Sequence, residues 1–332
     1  WHTLSLHDAL PISINKSPAY PSAISCAFTP KSDIAISPGD QFSFPKDSLQ
    51  EGDQLDLSLG FRNISDIASK TTMIDYRVTN ATNETVAAKS SSIKALEEGE
   101  FASDTVSFNT NGYSGYHTLW IEYLQNNPDD FYGFNNIGSL PFYVYRDNTN
   151  PLLDVTFDGR HILNGEIINA NPTIKIQLKD ENPYLSLSDT SLFALYLKRT
   201  GEEEERVYLA PGIANGTIIW EPAQDEQEAS ITYLPTFEKN GTYQLRVQAR
   251  DASDNLSGMN DYQIEFQIIN ESTITHVFNY PNPFSTSTRF VFTLTGNQIP
   301  DDFNIDIYTV SGKLIRRIEM NELGPIYVGR NV

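Results

Sequence analysis

Hydrophobic residues in this chain recur at every second position far more often than at every third or fourth. Leu55, Leu57, Leu59 and Phe61 alternate with Asp56, Ser58 and Gly60. In an extended segment that spacing puts the apolar side chains on one face and the polar ones on the other. The same period marks Ile74, Tyr76 and Val78, then residues 104–108, 118–123 and 140–145. It resumes at Ile174, Ile176 and Leu178, at Phe193, Leu195 and Leu197, through 241–251, and at Tyr262, Ile264, Phe266 and Ile268. A last group holds Phe290, Phe292 and Leu294, then Phe303, Ile305 and Ile307, then residues 314–318. No stretch of ten or more residues carries a 3.6 period. The pattern predicts an all-β chain.

The breaks between these segments place boundaries. Residues 14–50 hold Pro18, Pro21, Pro30, Pro38 and Pro45, a density that defeats helix and central strand alike, so a linker, with room for an edge strand, is expected there. A first sandwich is predicted over 51–146 and a second over 147–272, separated by the short polar run 146–151. A third module is predicted over 273–332, with Val310, Ser311, Gly312 and Lys313 as a tight hairpin turn. Short strands with turn signals about every ten residues match tandem immunoglobulin-like β-sandwiches. The last one is expected to be truncated, because the chain stops as a strand pattern restarts. Residues 1–13 read as foreign: His2 to Ile12 reverse-translates codon for codon onto a sequencing-adapter oligonucleotide. The natural protein is therefore expected to continue upstream of Ser13.

Composition narrows the partners. A chain of 332 residues suits two to three domains of about 100 residues each. Its 43 acidic against 23 basic residues give a formal charge of -20. Such a surface repels phosphate backbones and anionic headgroups, so neither nucleic-acid binding nor membrane-surface binding is expected. No run of about 18 apolar residues is present, and membrane insertion is not expected either. Cys26 is the single cysteine, which leaves the domains to rely on burial instead of intrachain disulfides.

Candidate chemistry is sparse. A thiol nucleophile needs a nearby base, yet Cys26 lies in the Pro-rich stretch, while His117, His161 and His276 fall in separate segments. No Gly-x-Ser-x-Gly, phosphate loop or dinucleotide fingerprint occurs. The chain reads as non-enzymatic, with no catalytic residue and no resident cofactor. Calcium is the one ligand worth weighing, because hard cations want clustered carboxylate and carbonyl oxygens. The candidates are Asp129 and Asp130 with Asn135 and Asn136, Asp180 with Glu181, and Asp251 with Asp254 and Asn255. None has EF-hand spacing, and ordinary turn chemistry accounts for each. Asn-x-Ser/Thr triplets at Asn63, Asn80, Asn83, Asn215, Asn240 and Asn270 predict surface turns.

The most specific motif is Tyr280-Pro281-Asn282-Pro283-Phe284. Two prolines around an asparagine predict an extended lead-in to a domain, with the Tyr280 and Phe284 rings buried under the first hairpin. With the hairpin Ile307-Tyr308-Thr309-Val310-Ser311-Gly312-Lys313-Leu314-Ile315, it resembles the C-terminal Ig-like domains of exported Bacteroidota proteins. Type IX secretion sorting domains and flagellar hook-cap-type Ig domains share that pattern. The blocks 134–144 and 150–163 further resemble the C-terminal half of gingipain-like cysteine peptidases of the type IX secretion sortase group, and the first module resembles a CARDB-type adhesion fold. The resemblance spans about residues 35–332. It implies an accessory Ig-like region, displayed at the outer surface or outside the cell, that supports an upstream peptidase domain of the same protein and meets type IX secretion components. The peptidase's Cys and His belong upstream, so the resemblance assigns no catalytic residue here. A surface adhesin or glycan-binding protein is the alternative, with Tyr113, Tyr116, Phe131 and Tyr132 as stacking candidates.

Overall fold

In the computed structural model, which describes residues 31–36, 46–123, 133–224 and 227–331, the alternating segments become strands of tandem Ig-like sandwiches. Two compact units divide at Arg146/Asp147. The first carries β1 (Ile34–Ile36), β2 (Ser48–Gln50), β3 (Gln54–Asn63), β4 (Thr72–Asn80), β5 (Thr85–Ile93), β6 (Phe101–Asn109), β7 (Gly115–Tyr123) and β8 (Ile137–Tyr145). One sheet runs β1-β3-β6 and the other β2-β8-β7-β4-β5. β3 pairs with β6 instead of β4 because the chain crosses to the second sheet after each of them.

The period-2 residues line the space between these sheets. Leu55, Leu57, Leu59 and Phe61 meet Ile74, Tyr76, Val78, Leu119 and Ile121, none more than 2% exposed. Each such burial stabilises by about 1.5–3 kcal/mol before chain entropy is subtracted. Two sequence expectations need correcting here. β1 and β2 fall inside the stretch read as linker, and their Ile34 and Leu49 are core residues. Both segments are the proline-free parts of that stretch, and both add as edge strands, β1 on β3 and β2 in parallel on β8, where only one side of the strand must supply ladder donors. Asn63 is not on a surface turn but fully buried, donating to the Ile67 and Leu96 carbonyls at 2.7 and 2.9 Å and accepting from the Ser65 amide. It closes the loop after β3 from inside.

The second unit begins with β9 (Leu152–Phe157), β10 (Glu166–Ile168), β11 (Ile174–Lys179), β12 (Phe193–Arg199) and β13 (Glu205–Val207). The one-turn-plus helix α1 (Leu209–Asn215) follows, then β14 (Ile218–Glu221), β15 (Glu228–Tyr233), β16 (Gly241–Ala249) and β17 (Tyr262–Ile268). Sheets β10-β17-β16-β12-β13 and β14-β15-β11-β9 enclose a core in which Phe266 touches the rings of Phe157, Phe237 and Tyr243.

Smaller pieces complete the unit. β18 (Ile274–Tyr280), β19 (Arg289–Leu294) and β22 (Gly329–Asn331) form one sheet, and β20 (Asn304–Tyr308) pairs with β21 (Leu314–Glu319) as a hairpin. Their core is small, built on Phe292, Leu294 and Phe303. Gly312 makes the hairpin turn at φ 85°, a left-handed conformation that a residue with a Cβ adopts only at a cost.

Candidate functional site

The sequence-selected residues scatter to different places. Asp129, Asp130, Phe131, Tyr132 and Cys26 lie outside the described residues. Tyr280 and Phe284 are 70% and 54% exposed, which overturns the expectation that their rings are buried. The pairing explains why: Tyr280 stands opposite Arg289 while Ile274 stands opposite Leu294, so the motif leaves the sheet at the end away from the small core. Both X–Pro bonds of the motif are cis.

Each described histidine has its own polar or ring partner, while His161 and His276 line one groove. His117 is buried between Tyr113 and Phe142, with Nδ1 3.1 Å from the Gly115 carbonyl. His161 pairs with Asp154 at 2.6 Å on the surface, and His276 sits beside Thr275 Oγ1. Tyr116 is exposed and stands edge-on to Tyr143, which in turn meets Tyr145. A groove of about 630 Å³ in the second unit is lined by Arg160, His161, Glu166, Gln267, His276 and Arg330. Arg160 is already bound there to Glu166 at 2.6 Å.

The densest concentration of chemistry lies at one end of the second sandwich. Asp147 precedes β9 and Asp180 follows β11 directly; since Leu152 pairs with Lys179, antiparallel register puts both at the same end of one sheet. Asp251 follows β16 in the opposite sheet. Together these three carboxylates offer oxygens that all lie within 4.8 Å of one another. Asp251 is held firmly: its Oδ1 accepts from the Ser253 and Asn255 amides at 2.8 Å, and its Oδ2 accepts from Asn255 Nδ2. The same Asn255 amide group also donates to the Asp147 carbonyl at 3.1 Å. Turn chemistry thus accounts for Asp251.

It does not account for Asp180. That side chain is 3% exposed, and neither carboxylate oxygen has a hydrogen-bond partner. Burial pushes its pKa up to about 7, and the charges of Asp147, Asp251 and Glu181 push the same way. The Glu181 amide alone pulls downward. Burial raises Asp251 as well, offset in part by its Asn255 and Ser253 hydrogen bonds. Sequence reading named Asp180 and Asp251 in separate turns and missed Asp147, which it used only to mark a boundary. Asp254, offered beside Asp251, instead points at Arg250, 3.0 Å from its Nη1.

No family model matches the chain, and no curated protein matches it. Among solved structures it is similar to a CARDB domain from Pyrococcus furiosus, at 13% identity and TM-score 0.29 over 35% of this chain and 98% of that one. A second structure of that domain, in complex with di-metal ions, gives 14% identity and TM-score 0.28 over 36% and 94%. The chain is also similar to dimeric latent PorU from Porphyromonas gingivalis, at 14% identity and TM-score 0.28. That match covers 88% of this chain and 29% of PorU. Likenesses of this size assign neither a family nor a function.

Proposed function

We propose that the chain is a non-catalytic, Ig-like accessory region of an exported gingipain-like peptidase of the type IX secretion sortase group. Its part would be to support or position a catalytic domain lying upstream in the same protein, at the outer surface or outside the cell. The observation that carries the reading is the motif pair Tyr280–Phe284 and Ile307–Ile315, with Gly312 at the left-handed turn position that the hairpin requires. The locally engaged histidines agree with a supporting role. Recovery of the parent reading frame tests it. A caspase-like α/β domain with a Cys and a His preceding residue 13 is expected; its absence sinks the proposal. The isolated chain is expected to cleave no peptide substrate, and cleavage abolished by Cys26→Ala would overturn the non-catalytic assignment.

The Tyr116, Tyr143 and Tyr145 row favours a second reading, a glycan-binding surface protein, because exposed rings such as Tyr116 and Tyr145, packed edge-on through Tyr143, can stack on sugars. Glycan-array binding lost in Tyr116→Ala would favour it, and a flat array would dismiss it.

A further inference from the structure

We propose that Asp147, Asp180 and Asp251 bind one calcium ion at the end of the second sandwich. Two independent observations carry the assignment. The first is geometric. Calcium holds its oxygens at about 2.3–2.6 Å, so two ligands of one ion stand at most about 5 Å apart; the three carboxylates meet that limit with oxygens within 4.8 Å of one another. The second is Asp180 itself, 3% exposed, with both oxygens unpartnered and one of them within 4.8 Å of an oxygen of each of the two other carboxylates. A buried carboxylate without a donor is strongly disfavoured, and like-charged neighbours worsen it. Among the described residues only the Glu181 amide offsets part of that cost, whereas a divalent cation would offset the rest.

The donor set selects the ion. It contains only carboxylates, without imidazole or thiolate, which disfavours zinc and copper. Magnesium dehydrates reluctantly and keeps several waters, which the burial of Asp180 leaves little room for. Calcium tolerates irregular geometry and takes six to eight oxygens. Because Asp147 lies before β9 while Asp180 and Asp251 close strands of opposite sheets, the bound ion ties the lead-in of the sandwich to both of its layers.

The test is titration calorimetry on the full chain after EDTA treatment, with CaCl₂ and MgCl₂ as separate titrants and melting curves in parallel. One calcium per chain is expected, with magnesium at least about ten-fold weaker. At a calcium concentration 100-fold above Kd, the second unit should melt about 5–10 °C higher. Asp180→Asn and Asp147→Asn should each weaken calcium at least about ten-fold. Asp254→Asn, which removes a carboxylate outside the cluster, should leave affinity within about two-fold. No heat with an unchanged melting temperature overturns the site. So does calcium binding that survives both cluster variants, or binding that falls equally in Asp254→Asn. Equal magnesium affinity overturns the choice of ion.

Discussion

Replacing Asp180 by Asn in the absence of metal should stabilise the second unit at neutral pH and above. The substitution keeps the shape of the side chain and removes its charge. Burial and the neighbouring Asp147 and Asp251 raise the Asp180 pKa from 3.8 to about 7. Below pH 3.8 the folded and unfolded chains both carry the proton, and the group is neutral to stability. Between about pH 4 and pH 7 the folded carboxyl retains a proton that the unfolded chain has released, so stability falls as pH rises. Above about pH 7 both states are ionised and the loss is complete. A rise of about three units at ~1.4 kcal/mol each sets a ceiling near ~4 kcal/mol; relaxation around the buried charge reduces it, leaving about 2–4 kcal/mol. Other carboxylates, such as Glu204 beside Arg246, are shifted down and give the opposite slope, so the difference between wild type and variant is the clean quantity. Urea unfolding in EDTA from pH 4 to 8 measures it. Trp220, edge-on to Phe193 in this core, is the probe, in a Trp1→Phe, Trp120→Phe background that leaves it the sole tryptophan. The variant should match wild type near pH 4 and exceed it by about 2–4 kcal/mol at pH 8. Equal or lower stability of the variant at pH 8 would refute the reasoning, since Asp180 would then be solvated or hydrogen-bonded in the folded state.

Four further substitutions probe the rest of the fold. Phe266→Ala should cost about 3–5 kcal/mol in urea unfolding, because the ring is fully buried against three others. Tyr280→Ala should change stability by less than about 0.5 kcal/mol, its ring being exposed; a cost above about 2 kcal/mol would show the ring to be buried after all. Gly312→Ala should cost about 1 kcal/mol through backbone strain alone, as an added Cβ would meet nothing within 4 Å. Hydrogen exchange should report that loss in residues 304–319 and not in the second sandwich. Tyr76→Phe removes the hydroxyl that donates to Asp104 Oδ2 at 2.6 Å and should lower the urea midpoint of the first unit by the equivalent of about 1.5–3 kcal/mol.

Strand content was legible because it rests on local alternation, and alternation survives wherever one face of a segment is buried. Leu55 to Phe61 and Ile174 to Leu178 needed no knowledge of their partners to be read as half-buried strands. β1 and β2 escaped because three residues cannot show a period, and the prolines around them dominate the composition. Asn63 escaped for a different reason: its triplet resembles a surface turn, while its burial depends on the Leu96 carbonyl from the far side of the loop. The rings of Tyr280 and Phe284 were misplaced because apolar character argues for burial only when a neighbouring element exists to cover them.

The acidic cluster is the sharpest case of information that is present in the sequence yet unreadable along it. Asp147, Asp180 and Asp251 are each unremarkable in isolation, one at a boundary and two in turns where Asp is common. Only antiparallel pairing of Leu152 with Lys179, and the return of β16 in the facing sheet, bring them to one point. Turn formation explains Asp251, whose oxygens cap its own loop. It leaves the Asp180 carboxylate without a hydrogen-bond partner, buried and beside carboxylates of its own sign. A sandwich selected for stability alone would gain by losing that charge, so its presence points to a ligand of opposite sign and not to the fold.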